Sequence, residues 1–306
     1  MRDRASSVDP EARAVTVGAA RNVEFDYAVV ATGAVTNFYG NQDATKNAHR
    51  LRSLSQTTDL VAGLENPGVK RVVVVGGGYT GVEAATHLRR FAAKSGRELE
   101  IVVLELQPTV LAMRPTWMQE YVERQLEELD IEVRTEATVD SISGGVKLTT
   151  GEELPDALVL WNAGVKVEIP RINGSVEGDR KGRINVDETL RATDGCYVAG
   201  DAALFTRRDS QEPLFMASYF AAQEGKAVAR NVIREINGEE PEPYSPRDYG
   251  FVVPLANGRG CGTILGRNLR GSLPVLVHHG AGWKRARSTA TRRARLKAVL
   301  TEGMGI

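Results

Sequence analysis

Four consecutive valines at positions 72–75 form the most uniform apolar run in the chain. An uninterrupted run of this kind is typical of a strand that is buried on both faces, as in a parallel sheet. A glycine-rich turn follows, and apolar residues then recur at helical spacing as Val82, Ala85 and Leu88. A second apolar strand comes next, over residues 99–105. The pattern therefore predicts a strand–helix–strand unit.

The turn of this unit carries glycines at GxGxxG spacing, Gly76, Gly78 and Gly81. The first permits the tight turn, the second lets a pyrophosphate approach the backbone, and the third lets helix and strand pack closely. The helix N-terminus offers free N–H groups to the phosphates. Glu105 ends the second strand 24 residues after Gly81, where an acid binds a ribose 2′-hydroxyl, so we predict NAD rather than NADP. The alternative is a tight turn with a solvated acid.

Two stretches, residues 15–33 and 146–164, share one pattern: a hairpin, an aspartate, an apolar strand, a small residue and a glycine. In the second copy the glycine loop begins 80 residues before Asp156, and the same distance back from Asp26 runs past Met1. If both copies descend from one nucleotide-binding unit, the first lacks its glycine loop. We expect a fragment or a mis-started reading frame, with a separate chain supplying that half as the alternative.

The remaining pattern alternates helices and strands up to a boundary near residue 245. The predicted elements are helices over 118–129 and 217–236 and strands over 131–134, 156–164 and 183–187. Pro241, Pro243 and Pro246 mark the boundary. Beyond it, three apolar runs, the last over residues 273–277, are interpreted as a small extra unit.

Composition excludes several classes of protein. With 42% apolar and 25% charged residues, the chain matches soluble globular proteins rather than disordered or fibrous ones. No apolar run reaches the roughly 18 residues of a membrane-spanning helix, and the N-terminus lacks the apolar core of a secretory signal. Cys196 and Cys261 lie 65 positions apart, which excludes a disulfide scaffold, a cysteine zinc site and a redox dithiol within the chain. We expect a cytoplasmic protein without a metal site or a nucleic-acid partner.

The balanced net charge hides a basic C-terminus. From residue 266 to residue 306 there are nine basic residues and one acidic residue, a net charge of +8, which leaves −8 on the preceding 265 residues. Trp283, Leu296, Val299 and Leu300 place apolar side chains among the arginines. This composition predicts peripheral binding to an anionic membrane, on the inner face of the cell membrane. A solubilising terminal helix is the alternative.

Three motifs occur in order at residues 31–33, 76–83 and 197–202. With them, and with the stretch 161–165, the chain resembles flavoproteins that carry two dinucleotide-binding domains, the pyridine nucleotide–disulfide oxidoreductase fold. It looks most like the type II NADH dehydrogenases, which are membrane-peripheral NADH:quinone oxidoreductases. The resemblance covers roughly residues 10–240 and implies FAD and NAD as cofactors.

The resemblance implies an α/β fold with two Rossmann-like, doubly wound, three-layer domains and a small C-terminal unit. The incomplete FAD-binding domain would span residues 1–65 and 187–245, the NAD-binding domain 66–186 and the C-terminal unit 246–306.

Site residues carry over from the motifs. Cofactor binding is implied for Thr32, Gly33, Gly76, Gly78, Gly81, Glu105, Gly164, Gly200, Asp201 and Ala202. Catalytic roles are implied for Glu83, near the nicotinamide–flavin junction, and for Gln223, in a helix that lines the flavin and quinone site. From the residues alone, Asp201 could instead cap a helix and Glu83 could favour a helix dipole. Tyr219 departs from the family, which has a glutamine at this position.

The implied reaction is hydride transfer from NADH to FAD, with electrons passed on to a quinone-type acceptor. Two alternatives stay open. Tyr219 favours a soluble NADH-dependent reductase of a small redox protein, and the missing glycine loop favours a non-catalytic NAD(H)-binding fragment. With that loop missing, we expect the chain to bind NAD but to bind FAD weakly. A homodimer also stays open.

Overall fold

The structure is a computed structural model and describes residues 3–174, 177–285, 291 and 293. The chain forms two compact units. The first unit comprises Met1–Val35 and Val165–Arg247, and the second unit comprises Thr36–Gly164 and Asp248–Ile306. The domain limits predicted from the sequence stay a prediction, because compactness alone does not show which segments fold independently.

The described elements are as follows. The helices are α1 (Gln42–Asn47), α2 (Leu54–Glu65), α3 (Tyr79–Ser95), α4 (Thr116–Glu128), α5 (Ser218–Ile236) and α6 (Ser272–Arg285), with a short 3-10 helix at Gly200–Ala202. The strands before residue 150 are β1 (Ala5–Asp9), β2 (Ala14–Val17), β3 (Arg21–Glu24), β4 (Ala28–Val30), β5 (Val35–Thr36), β6 (Arg71–Val75), β7 (Glu100–Leu104), β8 (Glu132–Arg134), β9 (Val139–Ser141) and β10 (Gly145–Leu148). The later strands are β11 (Glu153–Pro155), β12 (Ala157–Trp161), β13 (Val165–Lys166), β14 (Arg171–Ile172), β15 (Ile184–Asn185), β16 (Arg191–Thr193), β17 (Cys196–Val198), β18 (Ala203–Leu204), β19 (Gly250–Pro254), β20 (Gly260–Ile264) and β21 (Arg267–Gly271).

A parallel sheet in the order β12-β6-β7-β8 is the centre of the second unit. The valines of β6 are buried, as expected for a strand with neighbours on both sides and helices over the sheet. On α3, Val82, Ala85 and Leu88 are buried in the same core, because their spacing places them on one helical face. The predicted strand–helix–strand unit is confirmed.

The described C-terminal residues pack against this α/β core. Strands β19, β20 and β21 form an antiparallel sheet, and Val253, Leu255 and Cys261 belong to the core that contains α3 and α4. The Ala256 amide donates a hydrogen bond to the buried Thr86 hydroxyl on α3, at 3.0 Å. Sheet and helix are therefore joined by polar as well as apolar contacts.

The last apolar run of the C-terminal part lies in a helix. Residues 273–277 begin helix α6. A five-residue apolar run does not distinguish a strand from a buried helix segment. Pro274 is compatible with the helix because it lies in the first turn, where a backbone N–H has no partner within the helix.

The first unit contains its own parallel pairing, between β4 and β17, with Cys196 opposite Ala28 and Val198 opposite Val30. The predicted hairpin near the N-terminus is confirmed as β2 and β3, within the sheet β14-β1-β2-β3. Each unit thus combines parallel strands with a long helix, and the α/β class with parallel sheets is confirmed.

Candidate functional site

In the second unit, the glycine loop has the geometry of a phosphate cradle. Gly76 has a φ of +104°, and a Cβ there would lie 2.6 Å from the Asn162 carbonyl oxygen. A Cβ on Gly81 would lie 1.8 Å from the Gly76 carbonyl oxygen, so only glycine allows this turn. Gly78 is exposed, and no atom lies within 4 Å of the position of its Cβ. The space that a pyrophosphate requires is therefore open at the loop's second glycine, at the start of α3.

The start of α3 has no side-chain cap. Its N-cap is Gly78, which has no side chain to bond the first amides of the helix. Those amides carry the positive end of the helix dipole and are suited to a phosphate. An open cradle and uncapped helix amides together fit the pyrophosphate of NAD.

Glu105 lies against this loop. One of its carboxylate oxygens accepts a hydrogen bond from the Gly77 amide at 2.6 Å, and the other accepts one from the Gln107 amide at 2.8 Å. Each oxygen keeps a second lone pair, so the carboxylate can also accept from a ribose hydroxyl. The structure thus brings together the predicted NAD-binding residues of the loop and strand end, although their binding role stays a prediction.

Glu83 lies one turn into α3, where it lines a cavity of about 300 Å³ within the second unit. The cavity lining is mainly apolar and includes Leu60, Leu64 and Phe91. His87 also lines it, four residues after Glu83 and therefore on the same face of the helix. A carboxyl and an imidazole beside apolar walls are groups that can bind and protonate a small molecule.

In the first unit, the two predicted FAD motifs lie at one edge of the parallel pair. Residues 31–33 follow β4 and residues 200–202 follow β17, and the Ala199 amide donates to the Val30 carbonyl at 3.0 Å. Gly33 and Gly200 have φ of +71° and +72°, values that favour glycine. Ligands of α/β sheets bind outside the carboxyl ends of parallel strands. The arrangement of these motifs fits FAD.

The side chains at this edge differ in exposure. Thr32 is exposed, Asp201 is half-buried in the short 3-10 helix, and Ala202 is fully buried. Thr32 and Asp201 can reach a ligand, whereas Ala202 contributes its backbone and packing. These assignments stay predictions.

Gly164 is required by its own backbone. Its φ is +151°, and a Cβ there would lie 2.4 Å from the Tyr39 hydroxyl oxygen. The Gly164 carbonyl accepts a hydrogen bond from the Asn37 amide at 3.0 Å, and the Trp161 indole donates to the Asn37 carbonyl at 2.9 Å. These contacts explain the glycine structurally, and its predicted cofactor contact stays a prediction.

The amide of Gln223 already has backbone partners in this structure. Its nitrogen donates to the carbonyl of Arg247 at 3.1 Å, and its oxygen accepts from the Arg247 amide at 3.0 Å. The side chain therefore holds the segment after α5, and its predicted catalytic role stays a prediction. Tyr219 packs among aromatic rings, with ring centroids 4.2 Å from Phe220 and 6.2 Å from Phe215.

Sequence reasoning passed over the neighbouring Glu224. It is buried, and its carboxylate accepts a hydrogen bond from the Gly200 amide at 2.6 Å. Burial, opposed by this hydrogen bond, raises the pKa of Glu224 to about 7. Helical spacing gives the signal that could have found it, since Glu224 lies four residues after Phe220 and four before Val228, both buried.

Both cysteines are buried in the structure. Burial raises the pKa of Cys196 to about 11 and that of Cys261 to about 12. Thiolate is the reactive form, so neither side chain is a nucleophile at neutral pH. Within residues 3–174 and 177–285, no group of three or more histidine, cysteine or acidic side chains could hold a metal ion. In the same part of the chain, no helix is long and apolar enough to cross a membrane.

Comparison by sequence places the chain in one protein family. The family model described as pyridine nucleotide-disulphide oxidoreductase matches residues 1–225. The type II NADH:quinone oxidoreductase of Staphylococcus aureus is 27% identical over 273 residues, which cover 81% of this chain and 68% of that protein.

Two solved structures are similar in fold. NDH2 from Plasmodium falciparum in complex with NADH matches with a TM-score of 0.82 at 14% identity, over 98% of this chain and 83% of its own. The ferredoxin reductase for the CYP199A2 system of Rhodopseudomonas palustris matches with a TM-score of 0.70 at 25% identity, over 86% of this chain and 70% of its own. With a family model that spans most of its length and two nucleotide motifs at the ends of parallel strands, this chain belongs to the pyridine nucleotide-disulphide oxidoreductase family, whose cofactors are FAD and NAD.

Proposed function

We propose that this protein oxidises NADH and passes the electrons through FAD to a quinone-type acceptor. The observation that carries the NADH half is the carboxylate of Glu105 bonded to the Gly77 amide, beside an open glycine loop. The acceptor is supported by the similarity to the type II NADH:quinone oxidoreductase of Staphylococcus aureus.

The chain's own residues supply binding and orientation in this reaction. The α3 N-terminus binds the NADH pyrophosphate, and Glu105 accepts hydrogen bonds from the adenosine ribose. Thr32, Gly33, Gly200 and Asp201 hold FAD at the ends of β4 and β17. When bound there, FAD would supply the redox chemistry of hydride and electron transfer. Glu83 contributes a carboxyl beside an apolar cavity, where it can orient the substrate or exchange a proton.

A small iron–sulfur protein is the second candidate acceptor. The similarity to a ferredoxin reductase, at 25% identity, favours it. Tyr219 favours it too, because this position lacks the glutamine that the quinone-reducing relatives are expected to carry, and its ring packs against Phe220.

Acceptor specificity tests the proposal directly. NADH oxidation by the purified, FAD-loaded protein is followed at 340 nm with menadione, with a short-chain ubiquinone and with a [2Fe–2S] ferredoxin. We expect rapid turnover with the quinones. Turnover with ferredoxin alone would instead establish the second candidate, and ferricyanide, which needs no specific site, shows whether the hydride-transfer half is active.

Glu105 is expected to set the preference for NADH over NADPH. A 2′-phosphate would lie beside its carboxylate and be repelled, whereas a ribose diol donates hydrogen bonds to it. Glu105→Ser should lower the ratio of the NADPH dissociation constant to the NADH dissociation constant by about tenfold or more. A tenfold change corresponds to a loss of roughly 1.4 kcal/mol in the difference between the two binding free energies. Glu105→Gln keeps the size and one acceptor oxygen, and so separates charge from shape.

The exposed Glu98, shortly before β7, gives the matched control. Glu98→Ser removes a glutamate from the same region and should leave both constants unchanged. Equal binding of NADPH and NADH by the unmodified protein would contradict the role of Glu105.

We also propose that the C-terminal segment binds an anionic membrane. In α6, the exposed apolar side chains Leu273, Leu276, Val277 and Trp283 follow the spacing of one helical face. The predicted membrane-binding segment, residues 283–300, lies mostly outside the described residues. The support for it is its run of basic residues and the apolar face of α6 directly before it.

Vesicle binding is expected to depend on this segment and on salt. Each basic residue near an anionic surface contributes about 1 kcal/mol, which salt screens. The protein should co-sediment with vesicles of phosphatidylglycerol and phosphatidylcholine at low salt, less at 0.5 M salt, and little after deletion of residues 283–306. Replacing Arg292, Arg293 and Arg295 by glutamate keeps the length and should have a similar effect. Unchanged co-sedimentation of both variants would refute the assignment.

A further inference from the structure

Glu224 is a buried carboxyl in direct contact with an FAD motif. Only 3% of its surface is exposed, and its carboxylate oxygen lies 2.6 Å from the Gly200 amide nitrogen. Gly200 begins the short 3-10 helix that contains Asp201, and its φ is +72°. The hydrogen bond therefore fixes the turn that presents Asp201 at the end of β17.

The surroundings of Glu224 contain charges of both signs. Asp201, on the 3-10 helix, raises the pKa of Glu224, in addition to the larger effect of burial. Arg183, before β15, lines the same small cavity as Glu224 and Asp201. From the segment after α5, the buried Tyr244 interacts electrostatically with Glu224 and also with Arg207.

The first unit, which contains Glu224, has no histidine that would titrate near neutral pH. All four histidines of the chain (His49, His87, His278 and His279) belong to the second unit, whereas Glu224 belongs to the first unit. A carboxyl with a pKa of about 7 is thus the group in these surroundings that changes charge near neutrality.

We propose that Glu224 is a positioning residue of the FAD site: its neutral carboxyl holds the Gly200–Asp201 turn in the FAD-binding conformation, and its ionisation weakens FAD binding. The reason is electrostatic. An ionised Glu224 places a second negative charge beside Asp201, at the strand end where the FAD pyrophosphate must also be accommodated. The neutral carboxyl still accepts a hydrogen bond from the Gly200 amide, although a weaker one than the carboxylate accepts, and it does so without that repulsion. This inference rests on FAD as the cofactor and is independent of the electron acceptor.

Equilibrium titration of FAD against the full chain, followed by quenching of flavin fluorescence, tests the proposal at pH 5.5 to 8.5. For the unmodified protein, the dissociation constant should rise about tenfold between pH 6 and pH 8, because FAD binding is linked to one proton. Glu224→Gln keeps the shape and an acceptor oxygen but cannot ionise. It should bind FAD at every pH as tightly as the unmodified protein does at pH 6.

Asn231 provides the control for a purely structural effect. It is buried on the same face of α5, and its amide bonds the carbonyls of Thr189 and Glu242. Asn231→Ala should lower thermal stability but leave the pH dependence of FAD binding as in the unmodified protein. If Asn231→Ala abolished that dependence as Glu224→Gln does, the effect would come from helix stability and the proposal would fail.

The Gly200 amide gives a second readout, which needs no FAD. Its ¹H–¹⁵N chemical shift should titrate with a midpoint near pH 7 in the unmodified protein and stay constant in Glu224→Gln. A constant Gly200 shift in the unmodified protein would overturn the proposal. So would a pH slope of FAD binding that Glu224→Gln retains, or the absence of FAD binding at every pH. Failure to reduce quinones bears only on the proposed acceptor.

Discussion

Gly81→Ala is expected to abolish NAD binding by the protein. The added Cβ would lie 1.8 Å from the Gly76 carbonyl oxygen, far inside van der Waals contact, so the loop or the start of α3 must move. The movement would separate α3 from β6 at this point. The amides at the start of α3 would then no longer surround the phosphate site, and the folded protein would lose stability. We expect the dissociation constant for NADH to rise at least about 100-fold, equivalent to roughly 2.7 kcal/mol.

Two further variants separate the loss of NADH affinity from the loss of thermal stability. At Gly78 a Cβ would meet no protein atom within 4 Å, so Gly78→Ala should leave the unfolding temperature unchanged and still weaken NADH by filling the pyrophosphate space. Gly280→Ala, in the interior of α6, adds the same methyl group into open space and should leave NADH binding unchanged, while its higher helix propensity keeps the unfolding temperature the same or raises it. Isothermal titration calorimetry and thermal melts report both quantities. Tight NADH binding by Gly81→Ala would refute the assignment of this loop.

Glu224→Gln is expected to stabilise the protein at high pH. The pKa of Glu224 is raised from 4.5 to about 7 in the folded state, so the folded state binds a proton more tightly than the unfolded state does. The stabilisation that this carboxyl gives the folded state is therefore complete below pH 4.5 and is lost as the pH rises through 7. Glutamine does not ionise, so the variant avoids that loss. At 1.36 kcal/mol per pKa unit, the unfolding free energy should increase by about 3 kcal/mol at pH 8.

Urea unfolding at several pH values between 4.5 and 8.5 measures this difference. The advantage of Glu224→Gln should be absent at the lowest pH, grow up to about pH 7 and then level off. Glu240→Gln, at an exposed position after α5, is the control and should show no such trend. A Glu224→Gln variant less stable than the unmodified protein at pH 8 would contradict the raised pKa.

The sequence predicted those features that depend on local periodicity and on glycine. The valines of β6, the apolar face of α3 and the glycine loop were all predicted, because each follows from chain geometry over a few residues. The approach of Glu105 to the loop was also predictable, since parallel strands end at one edge of a sheet.

Features that depend on tertiary contacts were not predictable in the same way. Residues 273–277 belong to helix α6, which packs on β19 and β20, and their own short apolar pattern does not encode that contact. Gln223 stood out by its resemblance to a motif, although its amide bonds the Arg247 backbone. Helical spacing could have placed Glu224 on the buried face of α5, but only the fold brings the Gly200 amide to it.

The two buried thiols make the chain convenient for site-directed labelling. Cys196 and Cys261 are both 0% exposed, and their raised pKa values keep them protonated at the pH used for maleimide coupling. A single cysteine introduced at an exposed position, such as Met113→Cys or Leu54→Cys, should therefore react alone in the native protein. A fluorophore or spin label can then be attached without first removing either native cysteine. With cysteines at both positions, the distance between two labels within the second unit can be measured in solution.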